Sequence, residues 1–146
     1  MDIKQNIILS ALQKVSRKSF INKNLVKAIC LEYIHKFNIN MSDKNRILDL
    51  SEGDKQKIIL AKCMCQNPQI LIMAEPTTGL NTISRREIHE IIDKLSQEGT
   101  AIIIVSSDVY EVLGMCDRIL IMKNGRIKAE ISKDIATPEN VISLQI

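Results

Sequence analysis

The chain has 146 residues, of which 45% are hydrophobic and 25% charged, a composition that is typical of a folded domain and excludes a disordered one. Its net charge of +3 comes from basic residues scattered among acids, and it has no Trp, two Tyr and two Phe, which disfavours nucleic-acid binding. No stretch approaches the roughly 20 apolar residues that span a bilayer, and the N-terminus has no signal-peptide pattern, so we expect a cytoplasmic protein without membrane insertion.

Residues 1–48 are predicted to form a helical subdomain. Residues 1–16 have a modest apolar stripe, which favours packing on a neighbouring helix over a membrane surface. After a polar break at residues 16–19, a second helix is predicted from its 3.6-residue period, and residues 38–45 are expected to form a loop. The apolar face of this second helix consists of Leu25, Val26, Ile29, Cys30, Tyr33, Ile34 and Phe37.

Residues 49–146 alternate predicted helices with predicted strands, which indicates an α/β fold with a mostly parallel sheet. Ser51 can cap a helix that runs to about Cys65, where an Asn-Pro pair ends it. The short, uncharged run at residues 70–74 is expected to be a strand that is buried on both faces.

The alternation continues to the C-terminus. Four aliphatic residues at helical spacing predict a helix over residues 83–97, namely Ile88, Ile91, Ile92 and Leu95, and Gly99 is expected to end it. The sequence then predicts a buried strand at 101–105, a helix at 109–115, strands at 118–122 and 126–130, and a short helix that starts near Thr137. Asn124 and Gly125 are a strong type I′ turn signal, so the last two strands are predicted to form a hairpin.

The cysteines show neither a metal-binding nor a disulfide pattern. Cys63 and Cys65 are two residues apart on a predicted helix, so their side chains point to different faces and favour neither a disulfide nor a shared zinc ion. We expect all four cysteines to be buried free thiols of a reducing compartment.

Residues 50–80 contain the most informative pattern, LSEGDKQKIILAKCMCQNPQILIMAEPTTGL. A turn of small residues opens a helix, and an apolar strand then ends in Glu-Pro-Thr. This order resembles the signature helix and the Walker B strand of ABC-transporter ATPases. Residues 105–122 are similar to the second nucleotide-binding domain of monosaccharide importers of the ribose and galactose type, including Ser107 where most relatives have the switch histidine. The resemblance is continuous from Leu50 to about Ile131 and weaker before it.

The resemblance implies a helical subdomain followed by the C-terminal half of a P-loop NTPase (RecA-like) core with a terminal β-hairpin. The phosphate-binding pattern G-x-x-x-x-G-K-[ST] occurs nowhere in the chain. In the family, the strand before that loop lies between the strands that match residues 101–105 and 118–122. We therefore expect these two strands to pair directly here, with exchange between two copies as the alternative.

Two residues match the signature positions, which in the family contact the γ-phosphate of ATP held by the opposite domain. These are Ser51 and Gly53, at a helix N-terminus whose N–H groups and dipole attract anions. Glu52 stands where a glycine is usual, and Asp54 adds a second carboxylate. We expect these two acids to repel a triphosphate.

Some of the positions that take part in ATP hydrolysis in the family carry different residues here. Glu75 matches the residue that polarises the attacking water, but Ala74 replaces the aspartate that helps to hold Mg²⁺, so no metal site is expected. Asn81 occupies the D-loop aspartate position, and Ser107 occupies the switch position.

The resemblance implies a truncated or degenerate ATP-binding subunit of a sugar ABC importer, peripheral at the inner face of the cell membrane. Its partners would be another ATPase domain and a membrane permease, with a homodimer also conceivable. The family uses ATP and Mg²⁺, but we expect neither to be bound, and no ATP to be hydrolysed, by this chain alone.

Two other readings stay open. One is a non-catalytic interaction module, because the changes fall at nucleotide-contacting positions while the apolar periods are intact. The other is a relative of the chromosome-organising ATPases, which is disfavoured because residues 1–48 show no sustained heptads.

Overall fold

The computed structural model describes Ile7, residues 23–39 and residues 50–145. The helix predicted over residues 1–16, most of the predicted loop at 38–45 and the predicted domain boundary near residue 49 lie outside these residues. The chain forms two compact units, one made of residues 1–71 and 77–101, the other of residues 72–76 and 102–146.

The elements follow the predicted alternation, with bounds that differ from the predicted ones by at most two residues from residue 50 onward. In chain order they are α1 (Lys23–Lys36), α2 (Glu52–Met64), β1 (Ile70–Ala74), α3 (Thr82–Gln97), β2 (Ala101–Val105), α4 (Val109–Met115), β3 (Arg118–Lys123), β4 (Arg126–Ser132), a 3₁₀ turn (Lys133–Ile135) and α5 (Pro138–Gln145).

The first unit is a packing of α1, α2 and α3. The predicted face of α3 is confirmed, since its four aliphatic residues are all buried. On α1, Cys30, Ile34 and Phe37 are buried as predicted, and Tyr33 donates a hydrogen bond from Oη to the carbonyl of Met64 at 2.9 Å. The structure does not describe the side chains of Leu25 and Val26. An ion pair between Lys36 and Glu98 joins α1 to the end of α3.

Strands β1 and β2 form a parallel pair. The amide of Ala101 donates to the carbonyl of Gln69 at 2.9 Å, and the amide of Glu75 donates to the carbonyl of Val105 at 2.7 Å. Both strands therefore run in the same direction.

The prediction that β1 and β2 are buried on both faces is wrong. In β1, Leu71 and Met73 are buried, whereas Ile70 and Ile72 on the other face are exposed. None of the five β2 residues is buried. The physical reason is that no element among the described residues packs on the second face of this two-stranded sheet.

The second unit contains the predicted hairpin. Asn124 and Gly125 both have positive φ, 52° and 72°, as a type I′ turn requires. Strands β3 and β4 pair antiparallel with Ile119 opposite Ile131. The inner face of the hairpin packs on α4 and α5 in a core formed by Ile119, Ile121, Ile131 and Val141.

The prediction that β2 and β3 pair directly is also wrong. Among the described strands there are two separate pairs, β1 with β2 and β3 with β4. The connection from β2 to β3 contains α4, whose Val112 and Leu113 cover the hairpin core. Strand β3 pairs through one edge with β4, across a two-residue turn with little loop entropy to overcome, and no described strand pairs with its other edge.

The cysteines differ in burial. Cys30 and Cys65 are buried, Cys116 is partly buried and Cys63 is exposed, so the expectation of burial fails for Cys63. Cys63 and Cys65 do lie on different faces, as their spacing predicts. Burial raises the pKa of the Cys30 thiol and, together with nearby acids, that of Cys116. No helix in the described part of the chain has the length and apolarity needed to cross a membrane.

Candidate functional site

The N-terminus of α2 is built by local capping. Ser51 has extended backbone angles, and its Oγ accepts a hydrogen bond from the Asp54 amide at 3.1 Å while donating to Asp54 Oδ2 at 2.8 Å. This satisfies one of the unpaired N–H groups of the first helical turn. Ser51 is exposed, so the hydroxyl that matches the signature serine lies at a solvent-accessible helix end.

Gly53 is buried against the start of α3. An added Cβ would lie 2.6 Å from Oγ and 2.7 Å from Cβ of Ser84, closer than real side-chain atoms approach. Glycine at this position therefore permits the close approach of α2 and α3, a packing requirement that exists without any ligand.

The charges near this helix end are balanced within the first unit. Glu52 pairs with Lys55 at 2.6 Å. Lys57, only 4% exposed, lies 3.6 Å from Asp54 and 2.9 Å from Glu87 on α3. Glu52 and Asp54, the two acids expected to repel a triphosphate, thus have cationic partners, which reduces the repulsion without removing it.

Asn81 is the N-cap of α3. Its Oδ1 accepts a hydrogen bond from the amide of Ser84 at 2.8 Å, which is the interaction that an N-cap side chain makes. Ser84 therefore touches two predicted site residues, since its amide bonds Asn81 and its side chain faces Gly53. Sequence reasoning did not single out Ser84, although the Asn-x-x-Ser spacing at a helix start was a usable signal.

Glu75 and Ser107 meet in the second unit. The backbone amide of Ser107 donates to Oε1 of Glu75 at 2.8 Å, across 32 positions of sequence. Glu75 has a positive φ of 48°, which is uncommon for a non-glycine residue. Its amide is bonded to Val105 of β2, so hydrogen bonds at both its backbone and its side chain hold this conformation.

The loop that carries Ser107 is held by a buried carboxylate that sequence reasoning missed. Ser106 Oγ donates to Glu111 Oε2 at 2.6 Å and accepts from the Asp108 amide at 3.1 Å. Asp108 Oδ1 in turn caps α4 by accepting from the amides of Tyr110 and Glu111. Glu111 is 4% exposed. The signal was the Asp-x-x-Glu spacing at the predicted start of α4.

The residues near Glu75 do not fit a Mg²⁺ site. Ala74, at the end of β1, has no side-chain oxygen, and the Glu75 carboxylate already accepts from the Ser107 amide. In the part of the chain that the structure describes, no group of three His, Cys, Asp or Glu side chains could hold a metal ion. Because Mg²⁺ requires several oxygen ligands at short distance, we derive no catalytic step through a metal.

The arrangement offers two separate elements. One is a capped helix end, Ser51 with Gly53, of the type that attracts anions. The other is a glutamate at the end of a strand, held by the Ser107 amide, of the type that orients water. Each belongs to its own compact unit.

Comparison with known proteins supplies the family. The sequence profile described as "ABC transporter" matches residues 3–78. The ribose import ATP-binding protein RbsA of Caldanaerobacter subterraneus subsp. tengcongensis is 41% identical over 142 residues, which is 96% of this chain and 29% of that protein. The xylose import ATP-binding protein XylG of Histophilus somni is 40% identical over 144 residues, 97% of this chain and 29% of that protein. The chain thus spans under a third of the length of these relatives.

Solved structures show the same fold. CbiO1 from Clostridium perfringens, part of the ABC transporter complex cbiONQ, has a TM-score of 0.80 at 22% identity, covering 97% of this chain and 55% of that chain. The ATP-binding cassette MJ0796, in a dimeric post-hydrolysis state bound to ADP and Pi, has a TM-score of 0.77 at 21% identity, covering 91% and 57%. At these identities the likeness establishes the fold alone.

Proposed function

Since this chain belongs to the ABC transporter family, we propose that it serves as the signature-bearing part of an ATP-binding subunit of a sugar importer, and that it does not hydrolyse ATP by itself. The observation that carries the proposal is the 35–41% identity to ribose import ATP-binding proteins over 96–100% of this chain. The relatives are named for ribose and xylose, so a monosaccharide is the proposed cargo.

The proposal that the chain does not hydrolyse ATP by itself is based on the chain's own residues. No phosphate-binding loop pattern occurs in the sequence, and Ala74 cannot ligate a cation. Glu75 stands at the position of the family's water-polarising residue, but the sequence contains no phosphate-binding loop pattern that would hold a γ-phosphate for it. We infer that any nucleotide is held by another domain and is met in trans by the N-terminus of α2.

Two measurements on the pure chain test this. Phosphate release from Mg-ATP should equal the rate given by the Glu75→Gln variant, and calorimetric titration with Mg-ATP should give no binding heat. Magnesium-dependent turnover that Glu75→Gln abolishes would contradict the proposal. Ser143→Ala, on the exposed side of α5, is a matched control whose rate should equal that of the parent.

The proposed partners are a second ATPase domain and a membrane permease, which would place the chain at the inner face of the cell membrane. Tagged chain expressed in its source cell should recover both. Recovery of neither, with the chain migrating alone, would count against an importer role.

A non-catalytic interaction module is the second candidate function. It is favoured by the position of the changes, because Glu52, Ala74 and Asn81 all replace residues at nucleotide-contacting positions of the family. The buried face of α3 and the hairpin core, by contrast, are intact. The two candidates differ in one result: a subunit of the importer should restore transport when combined with a domain that binds ATP, whereas an interaction module should bind that domain without restoring transport.

A further inference from the structure

Lys57 is a buried charge at the contact between α2 and α3. The residue is 4% exposed, although lysine is among the residues that proteins almost never bury unless the charge is paired. Its Nζ lies 2.9 Å from Oε2 of Glu87 on α3 and 3.6 Å from Oδ1 of Asp54 on its own helix. One ammonium group therefore lies beside two carboxylates, one from each helix.

The carboxylate of Asp54 connects this buried charge to Ser51. Oδ1 of Asp54 faces Lys57, while Oδ2 accepts a hydrogen bond from Ser51 Oγ at 2.8 Å. The backbone amide of Asp54 donates to the same Oγ at 3.1 Å. The Ser51 hydroxyl thus directs its one proton to a carboxylate whose position depends on Lys57. A continuous series of polar contacts runs from Glu87 on α3 to the hydroxyl at the start of α2.

A packing contact joins the same two helix ends. Gly53, next to Asp54 in the chain, lies so close to Ser84 that no Cβ fits between them. The amide of Ser84 donates to the N-cap residue Asn81. Glu87 lies three positions after Ser84 and so on the same side of α3. The start of α2 is therefore attached to the start of α3 twice, once by packing and once by charge.

We propose that Lys57 is a positioning residue, which holds the N-termini of α2 and α3 at one fixed separation through its two ion pairs. Ser51 and Asn81 then keep a constant relative position and meet a partner domain as one surface. The proposal rests on the proposed function only for the identity of that partner, an ATPase domain that holds the nucleotide.

The charge of Lys57, rather than its bulk, performs this role. Removal of one member of a buried ion pair leaves the other charge uncompensated. Without the ammonium group, Asp54 and Glu87 would lie beside the same position as two like charges, and their repulsion is stronger near a protein interior than in water because the effective dielectric constant is lower. The repulsion would act at the turn where Gly53 requires a close approach to Ser84, so the two helix ends should separate there.

Lys55 provides a matched control on the same helix. It forms an ion pair with Glu52 at 2.6 Å, two positions before Lys57 in the chain. Because both members of this pair lie on α2, it cannot hold α2 to α3. Lys55→Met therefore removes the same charge from the same helix without affecting the separation of the two helices.

NMR spectroscopy of the pure chain tests the proposal. Lys57→Met keeps an apolar stem and removes the charge. The NOE between Gly53 and the Hβ protons of Ser84 should weaken, and hydrogen exchange of the Asp54 and Ser84 amides, which form the two cap bonds, should speed up about ten-fold together. Lys55→Met should change neither. If Lys57→Met leaves the NOE and both exchange rates unchanged, the proposal is wrong.

Two further variants distinguish positioning from general stabilisation. Ile92→Val removes a buried methyl group from α3, which should lower the stability of the chain but leave exchange at Asp54 and Ser84 unchanged. Adding Glu87→Gln to Lys57→Met removes one of the two repelling charges and should restore about half or more of the lost protection of both amides. If Ile92→Val speeds exchange as much as Lys57→Met, or if the double variant exchanges no more slowly than Lys57→Met alone, Lys57 only stabilises the fold and the proposal fails.

Ribose uptake by the source cells separates this proposal from the proposed function. If the importer role is correct, Lys57→Met should slow uptake and the added Glu87→Gln should restore part of it. Uptake that does not depend on the chain would contradict the proposed function alone, because the NMR measurements on the pure chain decide the role of Lys57 without a partner.

Discussion

Replacing Gly53 by Ala tests the reading of Gly53 as a packing position. The new methyl group would lie 2.6 Å from Oγ and 2.7 Å from Cβ of Ser84. Rotation of the Ser84 hydroxyl can relieve the first contact but not the second, because Cβ is fixed to the backbone. Helices α2 and α3 must therefore separate locally.

The magnitude follows from two opposing effects. Overpacking of this kind costs about 1–3 kcal/mol. The gain in helix propensity from Gly to Ala is at most about 1 kcal/mol, and it is smaller in the first helical turn, where Gly53 lies. We expect the free energy of unfolding to fall by about 1–2 kcal/mol.

Urea unfolding followed by circular dichroism measures the change. With a slope of about 2 kcal/mol per molar urea, the midpoint should fall by about 0.5–1 M. Gly114→Ala on α4 is the matched control, because its added Cβ meets nothing within 4 Å, and it should stabilise by about 0.5–1 kcal/mol.

A double-mutant cycle identifies the contact responsible. In a Ser84→Gly background, which removes the obstructing side chain, Gly53→Ala should cost less than about 0.5 kcal/mol, a coupling of about 1 kcal/mol or more. If Gly53→Ala leaves the midpoint unchanged or raises it, the close approach of α2 and α3 is not what requires glycine.

Three further predictions concern charges, the loop and thiols. Lys57→Ala should lower the free energy of unfolding by about 1–2 kcal/mol, measured by urea titration, because it removes a buried side-chain stem and its ion pair with Glu87. The control Lys55→Ala removes one partner of an exposed ion pair and should lower the free energy of unfolding by less than about 0.5 kcal/mol. Equal losses for the two variants would contradict this prediction. Glu111→Ala should speed amide hydrogen exchange at Ser107 about ten-fold, because it removes the hydrogen-bond acceptor of the Ser106 hydroxyl. The control Glu139→Ala, at an exposed position, should leave this exchange rate unchanged. An unchanged rate in Glu111→Ala would show that Glu111 does not hold the loop in place. At pH 8, the exposed Cys63 should react with a thiol reagent first, and Cys30 and Cys116 should react more slowly, because burial raises the pKa of both thiols and so lowers their thiolate fraction. Mass spectrometry of the labelled peptides measures the order of reaction. Faster labelling of Cys116 than of Cys63 would contradict this prediction.

Features set by neighbouring residues were predictable from the sequence. The buried stripe of α3, the cap at Ser51 and the type I′ turn at Asn124 and Gly125 all depend on residues within about four positions of one another. The family resemblance also depended on short, ordered motifs. For the candidate site, the sequence singled out Ser51, Gly53, Glu75, Asn81 and Ser107, but it missed Ser84, Glu111 and the contacts that all these residues make.

The tertiary structure alone decided which distant segments meet. Two contacts join residues whose spacing leaves no local pattern, namely the bond from the Ser107 amide to Glu75 and the fit of Gly53 against Ser84. The absence of pairing between β2 and β3 was likewise decided only by the tertiary structure. Burial of a strand also depends on what lies over it, and the same apolar run can be covered on two faces or on one. An aliphatic sequence specifies that a strand prefers to be covered, while only packing determines whether, and by what, it is.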